Sequence, residues 1–142
     1  MNSALEQLDL IDLLSERHLM LRKITEQSWN DNSEIYISNS EWFIMARIYK
    51  KRPTISHVTK HVDISRQATH KLIKSLESKE LIEIQPVPNN KKEKCIQLTK
   101  LGEACYEKNE SLKAVLEQKI AVRIGSENLL VLKEVLKLDW GL

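Results

Sequence analysis

TISHVTKHVDISRQATHKLIKSLESKELIEI, residues 54–84, decides how this chain folds. Ile55, Val58 and Val62 stand three and four apart, so they share one face of a short helix. Val62-Asp63-Ile64 breaks that period and supplies a turn. Ser65 stands where an N-cap belongs, ahead of a second helical run. In that run Thr69, Leu72, Ile73 and Leu76 fall on one stripe, while Gln67, His70, Lys71 and Lys74 fall opposite, with Arg66 and Ala68 on the flanks. A short helix bracing a second one with a polar, cationic outer face is the layout of a helix-turn-helix. Such a face suits a groove lined by phosphates and base edges. An ordinary solvated face mixes signs, whereas this one carries an acid, Glu77, only near its end.

The next segment reads as a hairpin. Leu81-Ile82-Glu83-Ile84 and Cys95-Ile96-Gln97-Leu98 both alternate with strand period. Pro86, Pro88, Asn89 and Asn90 mark the turn between them, and Lys91, Lys92 and Lys94 load its tip with charge. Beside a recognition helix, such a wing reaches an adjacent minor groove or its flanking phosphates.

Charge distribution points the same way. The 142-residue chain is only +2 overall. From Arg47 to Lys79, however, nine Lys or Arg face only Asp63 and Glu77, a local +7. Residues 1–34 carry seven acids against three bases, a local −4. A clustered cationic face binds phosphates and releases counterions even on a nearly neutral chain.

The run ISRQATHKLIKSLESKELIE, the wing after it and the following LTKLGEACYE resemble the MarR family of bacterial winged-helix regulators. The likeness is detailed over the middle third and architectural elsewhere. Three positions depart from the pattern, in two places. Glu80 stands where the family has Gly after the recognition helix, and Asn90 and Lys91 replace the wing's usual Asp and Arg. A non-Gly residue at a left-handed helix end costs roughly 1 kcal/mol, or else the helix ends differently. Lys is a point charge without the fork of Arg, so phosphate contact is the expectation for this wing.

The resemblance implies a mainly α chain with a small β wing (α+β), a winged helix-turn-helix with N- and C-terminal dimerisation helices. Residues 1–142 form one unit, with 38–99 meeting DNA and 1–34 and 100–142 pairing two copies. The implied function is a homodimer that represses or activates by binding a near-palindromic operator in double-stranded DNA, often under ligand or redox control. A repressor controlled by a small-molecule ligand is the expectation here. On that reading Ser65, Arg66, Gln67, Ala68, His70, Lys71 and Lys74 of the recognition helix meet the groove. Thr54, Ser56, His57, Asn90, Lys91 and Lys92 meet flanking phosphates from the first helix and the wing. For His18, Trp42 and Met45 two readings stand side by side: a crevice for a small aromatic or anionic effector, as the resemblance implies, or core and interface packing.

The remaining helices follow from periodicity. Residues 3–30 carry a broad apolar stripe that needs more than one partner. Ser38 and Glu41 form a capping box for a helix over 39–51, with Trp42, Met45, Ala46 and Tyr49 as its core face. Thr99 caps a long helix over 100–123, Gly125 stops it, and Ser126 caps a last one bearing Leu129, Leu130, Leu132, Val135 and Leu136. That last helix is too apolar for a monomer surface, so an intertwined dimer is expected. A dyad also places two recognition helices about 10 bp apart.

Other chemistries find little support. The chain has three Gly, and there is no phosphate loop, G-x-S-x-G, H-E-x-x-H or carboxylate pair. No enzymatic activity and no cofactor are expected. His57 and His61 stand four apart, but no third ligand type is suitably spaced, so no metal is expected either. Cys95 and Cys105 read as structural thiols of a reducing compartment. No apolar run approaches the ~18 residues of a membrane span, and residues 1–34 are acidic, so a cytoplasmic protein is the expectation. The competing class is a winged-helix protein–protein adaptor that does not bind specific DNA, which the basic face argues against.

Overall fold

The computed structural model describes residues 4–142. The elements are α1 (Leu10–Asp31), α2 (Asn39–Ile48), α3 (Ile55–His61), α4 (Arg66–Ser78), β1 (Ile82–Val87), β2 (Asn90–Leu98), α5 (Lys100–Ile124) and α6 (Ser126–Lys137). The chain is a mainly α winged helix: α3 and α4 are the helix-turn-helix, and the antiparallel β1–β2 hairpin is the wing.

The core lies where α2, α4, the wing base and the start of α5 converge. Ile44, Met45, Ile48, Val58, Ile73, Leu76, Leu81 and Ile96 are buried there. α1 joins it through Trp29, whose ring meets Trp42 edge-on at 4.9 Å and whose Nε1 donates to Ile35 O at 2.8 Å. Residues 53–54 run beside β2: the Ile96 N–H donates to Pro53 O at 2.9 Å, and Thr54 bridges Cys95. This fixes the wing against the start of α3.

Gly102 shows why the turn into α5 needs glycine. A Cβ there would stand 2.0 Å from Leu81 O. The Thr99 hydroxyl accepts from Gly102 N at 3.0 Å and donates to Glu80 O at 2.7 Å, so one side chain caps α5 and holds the end of α4.

The structure moves several expected boundaries. The first helix begins at Leu10, because Asp9 accepts from Asp12 N at 2.9 Å and caps it there. Residue 3, where the period starts, lies outside the described residues. α2 stops at Ile48 instead of 51, since the chain must turn, with Lys50 at φ +55°, to run extended beside β2. Its core face is Trp42, Ile44, Met45 and Ile48. Ala46 is exposed and Tyr49 half-buried. Ser126 does not cap α6: it is the first helical residue, and the cap position belongs to Gly125 at φ +98° with no side-chain bond. The wing strands run further than their alternation suggests, with Pro86 paired to Lys94 before a bulge at Pro86/Val87. A two-stranded wing has free edges, which is where proline is tolerated.

Candidate nucleic-acid interface

Two caps set the helix-turn-helix. Thr54 Oγ1 accepts from His57 N at 3.1 Å to start α3, and Ser65 Oγ accepts from Ala68 N at 3.1 Å to start α4. α4 buries Thr69, Ile73 and Leu76 and half-buries Leu72 and Ala68. Arg66, Gln67, His70, Lys71 and Lys74 line an open groove along its outer face. These five are exposed and carry no acid among them.

The far end of α4 is a complete Schellman motif. Leu81 N donates to Leu76 O at 3.0 Å and Glu80 N to Glu77 O at 2.9 Å. Glu80 takes the left-handed position at φ +62°, as the departure from glycine suggested. Lys79 then points into the fold, where its Nζ donates to Glu41 and to Tyr36 O at 2.7 Å. Glu41 is 3% exposed and also accepts from Ser38 N at 3.0 Å and Ser75 Oγ at 3.0 Å. Burial alone would raise this carboxyl. The bonds from Lys79, Ser38 and Ser75 outweigh it and hold the carboxyl below its ordinary value.

At the wing tip, Asn89 at φ +64° follows Pro88, the arrangement of a type II turn. Asn90 Oδ1 accepts from Lys92 N at 3.0 Å and Glu93 N at 3.2 Å, so that oxygen is engaged in shaping the turn. Lys91 and Lys92 are exposed. The Ser56 hydroxyl donates to Glu93 Oε1 at 2.8 Å and ties the wing to α3. His57 and His61 stack at 4.1 Å, with His61 Nδ1 2.8 Å from His57 O. No group of three or more metal-ligating side chains occurs among the described residues.

Three contributors lie outside the expected set. Arg52 braces the wing from below: its Nε donates to Cys95 Sγ at 3.3 Å and its Nη2 to Gln85 Oε1. Lys60 and Glu93 line the cleft between α3, α4 and the wing. The local +7 already includes Arg52 and Lys60, but only the fold says where they point.

The expected effector residues do not come together. Met45 is fully buried in the core. His18 lines a cavity of about 540 Å³ among α1, α5 and α6. Trp42 instead borders a smaller crevice of about 100 Å³ with Arg22, Asn39, Tyr106, Asn109 and Lys113. Met45 stands one turn from Trp42 on the face of α2 that packs inward, while His18 faces the C-terminal helices. The Trp42 Nε1 is buried without a hydrogen-bond partner among the described residues.

No model of a known protein family matches the chain, and no curated protein matches it. Solved structures do. Wild-type apo MarR from E. coli superposes with a TM-score of 0.79 at 19% identity, over 93% of this chain and 97% of that one. A MarR mutant from E. coli complexed with operator DNA gives 0.75 at 19% identity, over 96% and 97%. FabT from Streptococcus pneumoniae in complex with DNA gives 0.74 at 21% identity, over 89% and 90%. The chain therefore has the winged-helix fold of the MarR-family regulators. No helix among the described residues is long and apolar enough to cross a membrane.

Proposed function

We propose that this chain is a homodimeric, sequence-specific DNA-binding transcriptional regulator, acting as a repressor on a near-palindromic operator. The observation that carries the reading is the outer face of α4, where Arg66, Gln67, His70, Lys71 and Lys74 stand together without an acid. The likeness to a MarR mutant with operator DNA and to FabT with DNA supports it. Gln67 and His70 are assigned to base edges, since an amide can bind adenine in bidentate fashion. Arg66, Lys71, Lys74, Lys91 and Lys92 are assigned mainly to phosphates. The chain works by binding rather than by catalysis.

Dimerisation rests on the unpartnered apolar surface at the two ends of the chain. Leu10, Ile11 and Leu14 of α1, Val122 of α5, and Leu132 and Leu136 of α6 are all exposed. Apolar surface on this scale marks an interface. A second copy is the occupant, because a dyad supplies the second recognition helix that an operator requires. An effector site is assigned to the crevice bordered by Trp42, whose ring, with Asn39, Arg22 and Lys113, suits a small anionic or aromatic molecule.

Selection of bound fragments from genomic DNA, followed by sedimentation of the complex, tests the proposal. The expected result is a two-fold-related motif bound by two chains. Fragments without a shared motif, or a folded 16.5 kDa monomer at micromolar concentration, would reject it.

A further inference from the structure

The cleft between α3, the start of α4 and the wing has a volume of about 370 Å³. Lys60, Arg66, Lys92 and Lys94 line it, together with the carboxylate of Glu93. Four cations around one cleft suit a duplex phosphate. The carboxylate does not, and it is held in place. Ser56 Oγ donates to its Oε1 at 2.8 Å, and its own backbone N–H donates to Asn90 Oδ1 at 3.2 Å. Among the described residues no cation pairs with Glu93, although four share its cleft. A half-buried acid kept on a serine hydroxyl leaves those cations free and presents its charge to whatever anion enters.

We propose that Glu93 limits how tightly this chain holds the backbone of any duplex, so that residence on DNA depends on the base contacts of α4. The inference rests on the DNA-binding reading above. Physically it is a like-charge term. A phosphate seated by Lys60, Arg66, Lys92 and Lys94 sits close to a fixed carboxylate, and the repulsion offsets part of their attraction. The term is independent of sequence, and salt screens it.

The test is Glu93→Gln against wild type, titrated with a random 30-bp duplex, with Ser56→Ala as the second variant. Gln keeps an acceptor for Ser56 and removes the charge. Affinity for the random duplex should rise on the order of three- to tenfold at low salt, and the gain should shrink as salt is raised. Ser56→Ala keeps the charge, loosens the wing and should give no gain. Unchanged or weaker binding by Glu93→Gln overturns the inference, as does an equal gain from Ser56→Ala, which would make wing release the cause. If wild type itself binds no duplex, the DNA reading falls first and takes this one with it.

Discussion

Lys79 Nζ lies 2.8 Å from each carboxylate oxygen of Glu41, which joins the end of α4 to the cap of α2. Glu41 closes the α2 capping box with Ser38 and accepts from Ser75 one turn earlier on α4. One buried carboxylate therefore fixes the orientation of α4 relative to α2. Next to it, Asn39 Nδ2 donates to Glu26 Oε2 at 2.8 Å and so links the same cap to α1.

Glu41→Gln is expected to cost about 1.5–3 kcal/mol at neutral pH, the range for hydrogen bonds to a charged group. The pH dependence follows from the sign of the shift. The folded carboxyl titrates below its ordinary value of 4.5, so its stabilisation is complete above that value and is lost as pH falls through the lower folded one. In urea melts the gap between wild type and Glu41→Gln should be constant above about pH 5 and close in acid. A gap that persists unchanged to pH 3 would contradict the assignment.

Two backbone positions make opposite predictions. Glu80 sits at φ +62°, so Glu80→Gly should stabilise the fold by roughly 0.5–1 kcal/mol. Gly102→Ala brings a Cβ onto Leu81 O and should destabilise by at least about 1–3 kcal/mol. Thermal or urea unfolding of both variants checks this, and a neutral Gly102→Ala would mean that the turn into α5 is looser than described.

Specificity and affinity should separate by residue. Gln67→Ala is expected to cost about 1–3 kcal/mol on the selected operator and relax one base position. Lys92→Ala should weaken all duplexes alike and lower the salt slope by about 1. A change of base preference in Lys92→Ala would show that the wing reads sequence.

Control by thiol oxidation is not expected. Cys95 and Cys105 are both buried, and burial pushes the Cys105 thiol up despite the nearby Lys108. The double change to Ser should leave DNA affinity in reductant unaltered, and mild peroxide should not release wild type from DNA. Release from wild type but not from the double variant would make the chain a redox sensor.

The parts of the fold visible in the sequence were those set by local chemistry. Caps at Ser38, Ser65 and Thr99, the stripe on α4 and the alternation of the wing all act within a few residues, and each recurs in the structure. What stayed hidden depends on contacts between distant segments. Glu41 was legible as a cap but not as the partner of Lys79, 38 residues away. Arg52 meets Cys95 across 43 residues. That His18 and Trp42 border different cavities, with Met45 in the core, depends on how α1, α2 and the C-terminal helices pack, which a broad apolar stripe leaves open. The orphaned Trp42 Nε1 has no sequence signal at all.

Binding of duplex DNA by the acid-free face of α4 is tested most directly by the salt dependence of affinity for a random duplex. Log affinity should fall linearly with log salt, with a slope steeper than about −4 for two chains. Lys71→Ala and Lys74→Ala should each make it shallower by about 1 per chain. Binding that is absent or flat with salt, with α4 intact by circular dichroism, would contradict the account and favour a protein-binding adaptor.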